Sequence, residues 1–402
     1  MDDVHRVRVV GPLEPYAAGF AAELARLGYT LHSARLQLGL AAHLSRWLAG
    51  EGLDASMLTS AVVAQFLVVR RGVGYTAYRS PKGLSPLLGY LRGLGVTPLP
   101  VVPEPQGPVE VLLERYRRYL VGERGLGAPT ARGYVGLARP FVVGRATADG
   151  VNLAGLSAAD VVGFVLAVSG ERTPKVAQQV VSVLRSLLRF CHVQGLLGAP
   201  LAAAVPTVAN RRAGLPRFLE PAQVQSLLAS CDRRGVAGRR DFAMMTMMVR
   251  LGLRAGEVAA LGLGDIDWRR GEISVVGKGP RSERLPLPAD VGAAVADYLR
   301  HARPEGAIDR CVFVRVKAPH RGLSPAGVTQ AVIAAGGRAG LGPLTAHRLR
   351  HTAATGMLRA GAPLAQVGQV LRHRRALTTA AYAKVDRDGL RALARPWPGG
   401  AA

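Results

Sequence analysis

Residues 345–352 read TAHRLRHT, and this stretch indicates what kind of site the chain can build. A helix that begins at Thr345 would carry His347 and Arg350, three positions apart, on one face. Arginine binds two phosphate oxygens at once through its planar fork, and it keeps its charge at neutral pH. The stretch therefore predicts a helix that binds phosphate.

A second arginine and a phenol complete this set. Residues 252–257 read GLRAGE, so a glycine turn precedes Arg254, and Tyr382 lies in the stretch TAAYAK at 379–384. Cleavage of a phosphodiester needs cations against the non-bridging oxygens, and we expect Arg254 and Arg350 to supply them. Tyr382 has basic neighbours and little apolar company in the sequence, so we expect it to attack phosphorus. A phosphotyrosine would store the bond energy without ATP or a metal.

Three further residues have roles that the sequence leaves open. Lys278 lies at the tip of a glycine-flanked hairpin, where it could protonate a leaving hydroxyl; from spacing alone, a turn lysine without a role is favoured. His373 follows an apolar helix and would either contact the phosphate or cap that helix. His351 lies four positions after His347, a spacing that also suits zinc. Because no HExxH glutamate is present, we expect a packing or hydrogen-bonding role and no metal.

The charge of the chain indicates a polyanionic partner. Its 402 residues carry a formal net charge of +25, a balance typical of nucleic-acid-binding proteins. No apolar run approaches the ~20 residues that a membrane span needs. The three cysteines are scattered, which argues against a CxxC metal site or a disulfide framework. We expect a cytoplasmic DNA-binding protein that needs no membrane and no cofactor.

Two proline-rich stretches, at residues 98–108 and 200–216, divide the chain because proline interrupts helices and central strands. They predict three domains, at residues 1–100, 109–205 and 217–395. The first two share a sequence pattern, in which GLD at 52–54 corresponds to GVN at 150–152, Phe20 to Tyr116, and LT at 58–59 to LS at 156–157. Each predicts four or five short amphipathic helices. Duplication of a domain is one interpretation, and chance similarity between two helical bundles is the other.

The third domain has a different pattern. Helices are predicted near residues 220–228, over Asp241–Leu251 and from Ala255, followed by a hairpin with strands Glu272–Val276 and Glu283–Leu287. Beyond the hairpin the pattern is helical to the end. The fold class is therefore predicted to be mainly α: helical N-terminal domains, then an α-rich domain with a small antiparallel β-sheet.

The third domain resembles the catalytic domain of the tyrosine recombinases, the phage-integrase and Xer-like family. The resemblance rests on GLRAGE at 252–257, GKG at 277–279, HRLRHTAAT at 347–355, and LRH at 371–373 followed by Tyr382. One position departs from the family pattern. The family usually has glycine before the second histidine, where this chain has Arg372, and we expect the larger side chain to crowd a tight helix end.

The resemblance implies a role for each matching residue. Arg254 and Arg350 would bind the scissile phosphate, and Tyr382 would form a 3′-phosphotyrosine and release a 5′-hydroxyl. The remaining implied roles are general acid for Lys278, phosphate contacts and proton transfer for His347 and His373, and structural support for Glu257.

The resemblance also implies how the chain holds DNA. Residues 109–205 would form a helical, SAM-like core-binding domain that closes around the duplex with the catalytic domain. The implied partners are double-stranded recombination sites, further copies in a homo-tetramer and accessory recombination proteins. The resulting prediction is a site-specific recombinase or integrase of a mobile element; the alternatives are a nicking topoisomerase and a catalytically inert DNA-binding regulator. Candidate DNA contacts are Lys175, Arg185 and Arg189 in the core-binding domain, and Arg211 and Arg212 in the joint that follows it.

Overall fold

The computed structural model of the chain describes most residues up to Arg372, and Thr379 and Tyr382 beyond it. The described ranges are 7–100, 104–148, 150–209, 217–277, 282–307 and 309–372. The chain forms two compact units, one spanning Val101–Gly214 and the other combining Met1–Pro100 with Leu215–Ala402. Helices dominate both, and the described residues contain two small antiparallel sheets. No helix among them is long and apolar enough to span a membrane.

Residues 7–100 form four α-helices around one hydrophobic cluster. Thr30 and Thr59 begin two of them by accepting hydrogen bonds from the backbone N–H groups of Ser33 and Val62, which satisfies donors that have no partner inside the helix. The cluster includes Phe20, Leu24 and Leu84. The helices are α1 (Ala17–Arg26), α2 (Leu31–Gly50), α3 (Ser60–Gly72) and α4 (Pro81–Gly93).

Residues 104–209 also form four α-helices, with a short hairpin in the middle. The helices are α5 (Pro108–Gly122), α6 (Ala128–Val143), α7 (Ala158–Glu171) and α8 (Pro174–Val193), and the strands are β1 (Ala146–Thr147) and β2 (Gly150–Val151). Their hydrophobic cluster includes Tyr116, Leu120 and Phe190.

Positions that the sequence paired between the two helical regions have equivalent places in the structure. Phe20 and Tyr116 are both buried, on the first helix of each region. Thr59 caps α3, and Ser157 caps α7 by accepting from the Asp160 backbone N–H. This common order agrees with the duplication hypothesis, which stays a prediction, as do the domain boundaries.

The remaining helices surround a three-stranded antiparallel sheet. The elements are α9 (Pro221–Ala229), α10 (Val236–Leu251), α11 (Ala255–Ala260), β3 (Ile266–Asp267), β4 (Glu272–Val276), β5 (Ser282–Pro286), α12 (Ala289–His301), α13 (Pro325–Arg338), α14 (Ala346–Arg359) and α15 (Leu364–Val370). In the order β3-β4-β5, Ile273 lies opposite Ile266 on one side and Leu285 on the other. All three side chains are buried in the main core, because directly opposite residues of paired strands face the same side of the sheet.

Some boundaries differ from the prediction. Strand β4 agrees with it, whereas β5 begins one residue earlier than predicted. Helix α10 begins at Val236, whereas the sequence predicted Asp241. The prediction missed the first turns because they are polar and lack an apolar stripe. The described residues between α12 and α13 are not helical, which contradicts the expectation that the chain is helical beyond the hairpin. There Val312, Phe313 and Val314 are all buried, and consecutive apolar residues give no helical periodicity.

Candidate active site

The turn between α10 and α11 positions Arg254. Gly252 has a left-handed backbone conformation (φ +61°), and a Cβ atom there would lie 2.5 Å from Cδ2 of Leu371, so only glycine fits. The backbone N–H of Arg254 then donates to Glu257 Oε2 (2.8 Å), and its guanidinium donates to Oε1 (2.6 Å). A single carboxylate thus caps α11 and holds the arginine.

Arg350 lies on α14, and its side chain is only 1% exposed. Thr345 caps this helix, as the sequence predicted. The guanidinium of Arg350 donates to the carbonyl oxygens of Gly252 (2.6 Å) and Leu371. Burial and then the charge of Arg254 lower the pKa of Arg350 to about 10, so the group stays positive at neutral pH. The buried arginine is therefore a fixed cation.

One open cleft of about 400 Å³ is lined by Arg254, His347 and Arg350, together with Thr329 and Thr345. Arg254 keeps 39% of its side chain exposed, and His347 is exposed. The structure therefore brings together three of the residues that the sequence selected. Two guanidinium groups and an imidazole beside one cleft form a favourable place for a phosphodiester.

Glu257 is buried between two arginines. Nη2 of Arg372 lies 2.8 Å from Glu257 Oε2, and the two side chains are 2% and 5% exposed. Burial alone raises the pKa of Glu257, but the hydrogen bonds from Arg254 and the charge of Arg372 outweigh it and hold the pKa below its ordinary value. The carboxylate is therefore ionised and holds both cations in place.

Arg372 is held at the helix end by an ion pair with Glu257, which the sequence-based expectation of crowding did not foresee. Its backbone takes the left-handed conformation (φ +56°) that the family's glycine would adopt easily, at a cost of about 1–2 kcal/mol. The side chain is buried and reaches Glu257, and it also donates to the carbonyl oxygen of Val370 (2.8 Å). These contacts offset the backbone strain.

The phenol of Tyr382 is 2% exposed. It packs with Ala354, Val367 and Leu371, so the expectation that it has little apolar company is wrong. Its sequence neighbours are small, but its packing partners come from α14 and from the end of α15. The sequence could not show this environment because these residues are distant from Tyr382 along the chain.

The hydroxyl of Tyr382 lies 2.8 Å from Nδ1 of His351. Burial raises the pKa of Tyr382, and the charges of Arg350 and Arg254 reduce this increase only in part. The phenol is therefore protonated at neutral pH. Because the charges of both arginines act on the phenol, the candidate nucleophile lies near the two candidate phosphate-binding cations.

His351 forms a hydrogen bond, as the sequence analysis expected, but the analysis did not foresee that its partner is the candidate nucleophile Tyr382. The pKa of His351 is lowered to about 4 by burial, then by His347 and Arg350, so the imidazole is neutral. Its ring stands edge-on to that of His347, with 4.3 Å between centroids. The four-residue spacing did show that the two imidazoles share a helix face, but nothing in the sequence placed Tyr382 against that face.

The structure does not describe every residue that the sequence selected. Lys278, His373, Arg211 and Arg212 lie outside the described residues. No group of three or more His, Cys, Asp or Glu side chains in the described part of the chain could hold a metal ion.

The three candidate DNA contacts on α8 differ in their surroundings. Lys175 and Arg189 are exposed. Arg185 is half-buried and donates to the carbonyl oxygen of Val205 (2.8 Å). Lys175 and Arg189 are therefore better placed than Arg185 to meet a phosphate.

Known proteins are similar to this chain in sequence. The model of the phage integrase family matches residues 217–388. The protein y4rA of Sinorhizobium fredii (strain NBRC 101917 / NGR234), which carries an integrase/recombinase name, is 41% identical over 394 residues; the match covers 97% of this chain and 95% of that protein. The chain belongs to the tyrosine recombinase family. The tyrosine recombinase XerD of Listeria monocytogenes (serotype 4b, strain F2365) is 31% identical over 280 residues, covering 68% of this chain and 94% of XerD. The enzyme is thus a tyrosine-type site-specific recombinase.

Solved structures share the fold at low sequence identity. The XerH recombinase bound to a palindromic difH substrate has a TM-score of 0.57 at 18% identity, covering 72% of this chain and 97% of that one. A lambda integrase (75–356) dimer bound to a COC′ core site has a TM-score of 0.56 at 18% identity, covering 72% and 98%. The predicted recombinase fold class is confirmed.

Proposed function

We propose that this recombinase cuts and rejoins DNA at specific sites of a mobile element, through a 3′-phosphotyrosine formed by Tyr382. The observation that supports this most directly is the position of the phenol. Tyr382 packs against Leu371, and the carbonyl oxygen of Leu371 accepts a hydrogen bond from Arg350. The proposed nucleophile and the buried cation therefore both contact Leu371.

A scissile phosphate in the cleft would meet Arg254 and Arg350 at its non-bridging oxygens. Both guanidinium groups are already held, by Glu257 in one case and by backbone carbonyls in the other. Cations fixed before the reaction stabilise developing charge without reorganisation, and removing one such donor typically costs ~10²–10³ in rate. Glu257 acts by holding Arg254.

The remaining roles follow the positions of the family motif. Tyr382 attacks phosphorus, and the 5′-oxygen leaves with a proton that Lys278 supplies as general acid. His347, at the edge of the cleft, and His373 assist through phosphate contacts and proton transfer. The reverse attack by a 5′-hydroxyl rejoins the strand and releases the tyrosine, so no external energy source is needed.

The helical regions would hold the DNA. Residues 109–205 would act as the core-binding domain, with Lys175, Arg185, Arg189, Arg211 and Arg212 as candidate backbone contacts. Residues 1–100 would be its duplicate, and residues 217–395 the catalytic domain. A lambda integrase tetramer bound to a Holliday junction has this fold (TM-score 0.53, 14% identity), which supports a homo-tetramer on DNA. The Tn1549 transposon integrase with circular intermediate DNA also has it (TM-score 0.54, 16% identity), which supports a mobile-element role.

Covalent capture tests the proposed chemistry and finds the target sequence in the same experiment. Sheared host DNA carrying random nicks is incubated with the wild type or with Tyr382→Phe, without added metal, and DNA that stays on the denatured protein is sequenced. A nick beside the scissile bond lets a short strand diffuse away, so the adduct is trapped. We expect one enriched sequence with wild type and none with the phenylalanine variant.

The captured sequence then separates the candidate activities. Recombination between two plasmid copies of it identifies a recombinase, whereas relaxation of supercoils without strand exchange identifies the nicking topoisomerase. If no sequence is captured, enrichment of one sequence on the native, undenatured protein identifies the inert regulator. An adduct that persists in Tyr382→Phe would show that another residue is the nucleophile.

A further inference from the structure

We propose that His351 is a catalytic residue, whose Nδ1 accepts the proton that the Tyr382 phenol loses as its oxygen attacks phosphorus. This inference rests on the proposed phosphotyrosine chemistry. His351 is not among the residues to which the family resemblance gave a catalytic role. This inference also separates two imidazoles on one helix: His347 borders the phosphate cleft, and His351 contacts the nucleophile.

The geometry of the pair suits proton transfer. The phenol oxygen and Nδ1 are 2.8 Å apart, within the range that general acid–base catalysis needs. The two rings meet edge to face, with 5.4 Å between centroids and 61° between planes. The backbone at His351 is well held, because the preceding Arg350 is buried and bonded to two carbonyl oxygens.

The protonation states of the free protein allow the phenol to donate in this hydrogen bond. Burial keeps the phenol protonated, since it raises the pKa of Tyr382. Burial, His347 and Arg350 lower the pKa of His351 to about 4, so the ring is neutral. A neutral imidazole with its proton on Nε2 presents Nδ1 as an acceptor, and the phenol then donates to it.

Substrate binding would make His351 a better base. Part of the cost of protonating His351 comes from the positive charge of Arg350. A phosphodiester anion bound to Arg350 offsets that charge and so favours the imidazolium form. His351 therefore becomes a stronger base when a phosphate is bound. In the enzyme without DNA, the Tyr382 phenol stays protonated.

The step balances without a further reagent. A bond forms between the Tyr382 oxygen and phosphorus, the bond from phosphorus to the 5′-oxygen breaks, and the phenol proton moves to Nδ1 of His351. The departing 5′-oxygen takes its proton from the general acid, assigned above to Lys278. In rejoining, the 5′-hydroxyl attacks phosphorus, and the imidazolium of His351 returns the proton to the leaving phenolate.

Two variants separate proton transfer from positioning. His351→Asn keeps a hydrogen-bond acceptor near the position of Nδ1 but cannot take a proton, whereas His351→Ala removes both properties. With the captured DNA at saturating concentration, we expect His351→Asn to form the covalent adduct on the order of 10²-fold more slowly, with unchanged DNA affinity. His301→Asn, an exposed position at the end of α12, is the matched control and should react at the wild-type rate.

A nucleophile that ionises more easily provides the deciding readout. With 3,5-difluorotyrosine at position 382, the phenol needs less help to lose its proton, so most of the rate lost in His351→Asn should return. A wild-type rate in His351→Asn with ordinary tyrosine would overturn the proposal. So would a slow variant that the fluorinated phenol does not rescue, because that pattern indicates positioning only.

A measurement on the free protein keeps this test independent of the proposed function. In ¹⁵N NMR at neutral pH, His351 should show an unprotonated Nδ1 whose resonance shifts in Tyr382→Phe. An unchanged resonance would contradict the hydrogen bond and with it the proposal. Failure of the wild type to form any adduct, with the expected NMR shift present, would contradict the phosphotyrosine chemistry instead.

Discussion

Arg372 and Glu257 form an ion pair that is almost completely inaccessible to solvent, with 2.8 Å between Nη2 and Oε2. The pair links the C-terminal end of α15 to the N-terminal turn of α11. Because the same carboxylate holds Arg254, the position of this candidate phosphate-binding arginine depends on a side chain far away in the sequence. Breaking this pair leaves the buried Glu257 carboxylate with Arg254 as its one remaining cation among the described contacts, which is unfavourable because the charge is buried.

Arg372→Ala should therefore lower the free energy of unfolding by about 3 kcal/mol. Arg372→Gly loses the same ion pair but relieves the left-handed backbone, so it should be more stable than the alanine variant by about 1 kcal/mol. Chemical denaturation of the full chain measures both values. Equal stabilities for the two variants would mean that the backbone at this position is not strained.

Gly252→Ala should damage both stability and cleavage. Its Cβ would lie 2.5 Å from Leu371 Cδ2 at a positive φ, and the displaced turn carries the carbonyl oxygen that orients Arg350. We expect a loss of about 2 kcal/mol and a clear drop in adduct formation. Gly356→Ala is the matched control, since its Cβ meets nothing within 4 Å on α14. Gly356→Ala should be neutral or stabilising. Wild-type stability and cleavage in Gly252→Ala would contradict the packing described.

The pH dependence of stability should include a contribution from His351. Its pKa falls from 6.5 to about 4 on folding, so the folded state resists protonation. The associated stability is fully present above pH 6.5 and is lost as the pH falls toward 4. Because the ring is partly exposed and solvent weakens the effect, the loss in the free energy of unfolding should reach about 2 kcal/mol. Unfolding measured across this range should show a shallower slope in His351→Asn, and parallel curves would contradict the lowered pKa.

Arg189→Gln should weaken DNA binding without affecting stability, because its side chain is exposed on α8. If it contacts a phosphate, affinity should fall similarly for all sequences, and the slope of log K against log salt should decrease by about one. Arg117→Gln is the control, since Arg117 is already paired with Glu114 at 2.7 Å. Equal salt slopes for Arg189→Gln and wild type would remove Arg189 from the DNA contacts.

The sequence by itself determined the fold class and most of the local geometry. Thr345 begins α14, as predicted, because a threonine side chain can satisfy a free backbone donor at a helix start. Gly252 makes the turn before Arg254, because a positive φ favours glycine. His347 and Arg350 border one cleft, because residues three apart share a helix face. Each of these relationships spans a few residues, where spacing and residue type are sufficient.

Only the tertiary structure decided which distant groups meet. His351 contacts Tyr382, and Arg372 reaches Glu257, although neither pair is close in the sequence. Helical periodicity says which side chains share a face, but the packing of one element on another decides what that face contacts. The alanines beside Tyr382 in the sequence gave no sign that its phenol is buried, and the arginine in place of glycine gave no sign of its ion pair with Glu257. Both became clear only when α11, α14 and α15 were packed together, because the burial that raises the pKa of Tyr382 and isolates the Glu257 ion pair comes from residues remote in the chain.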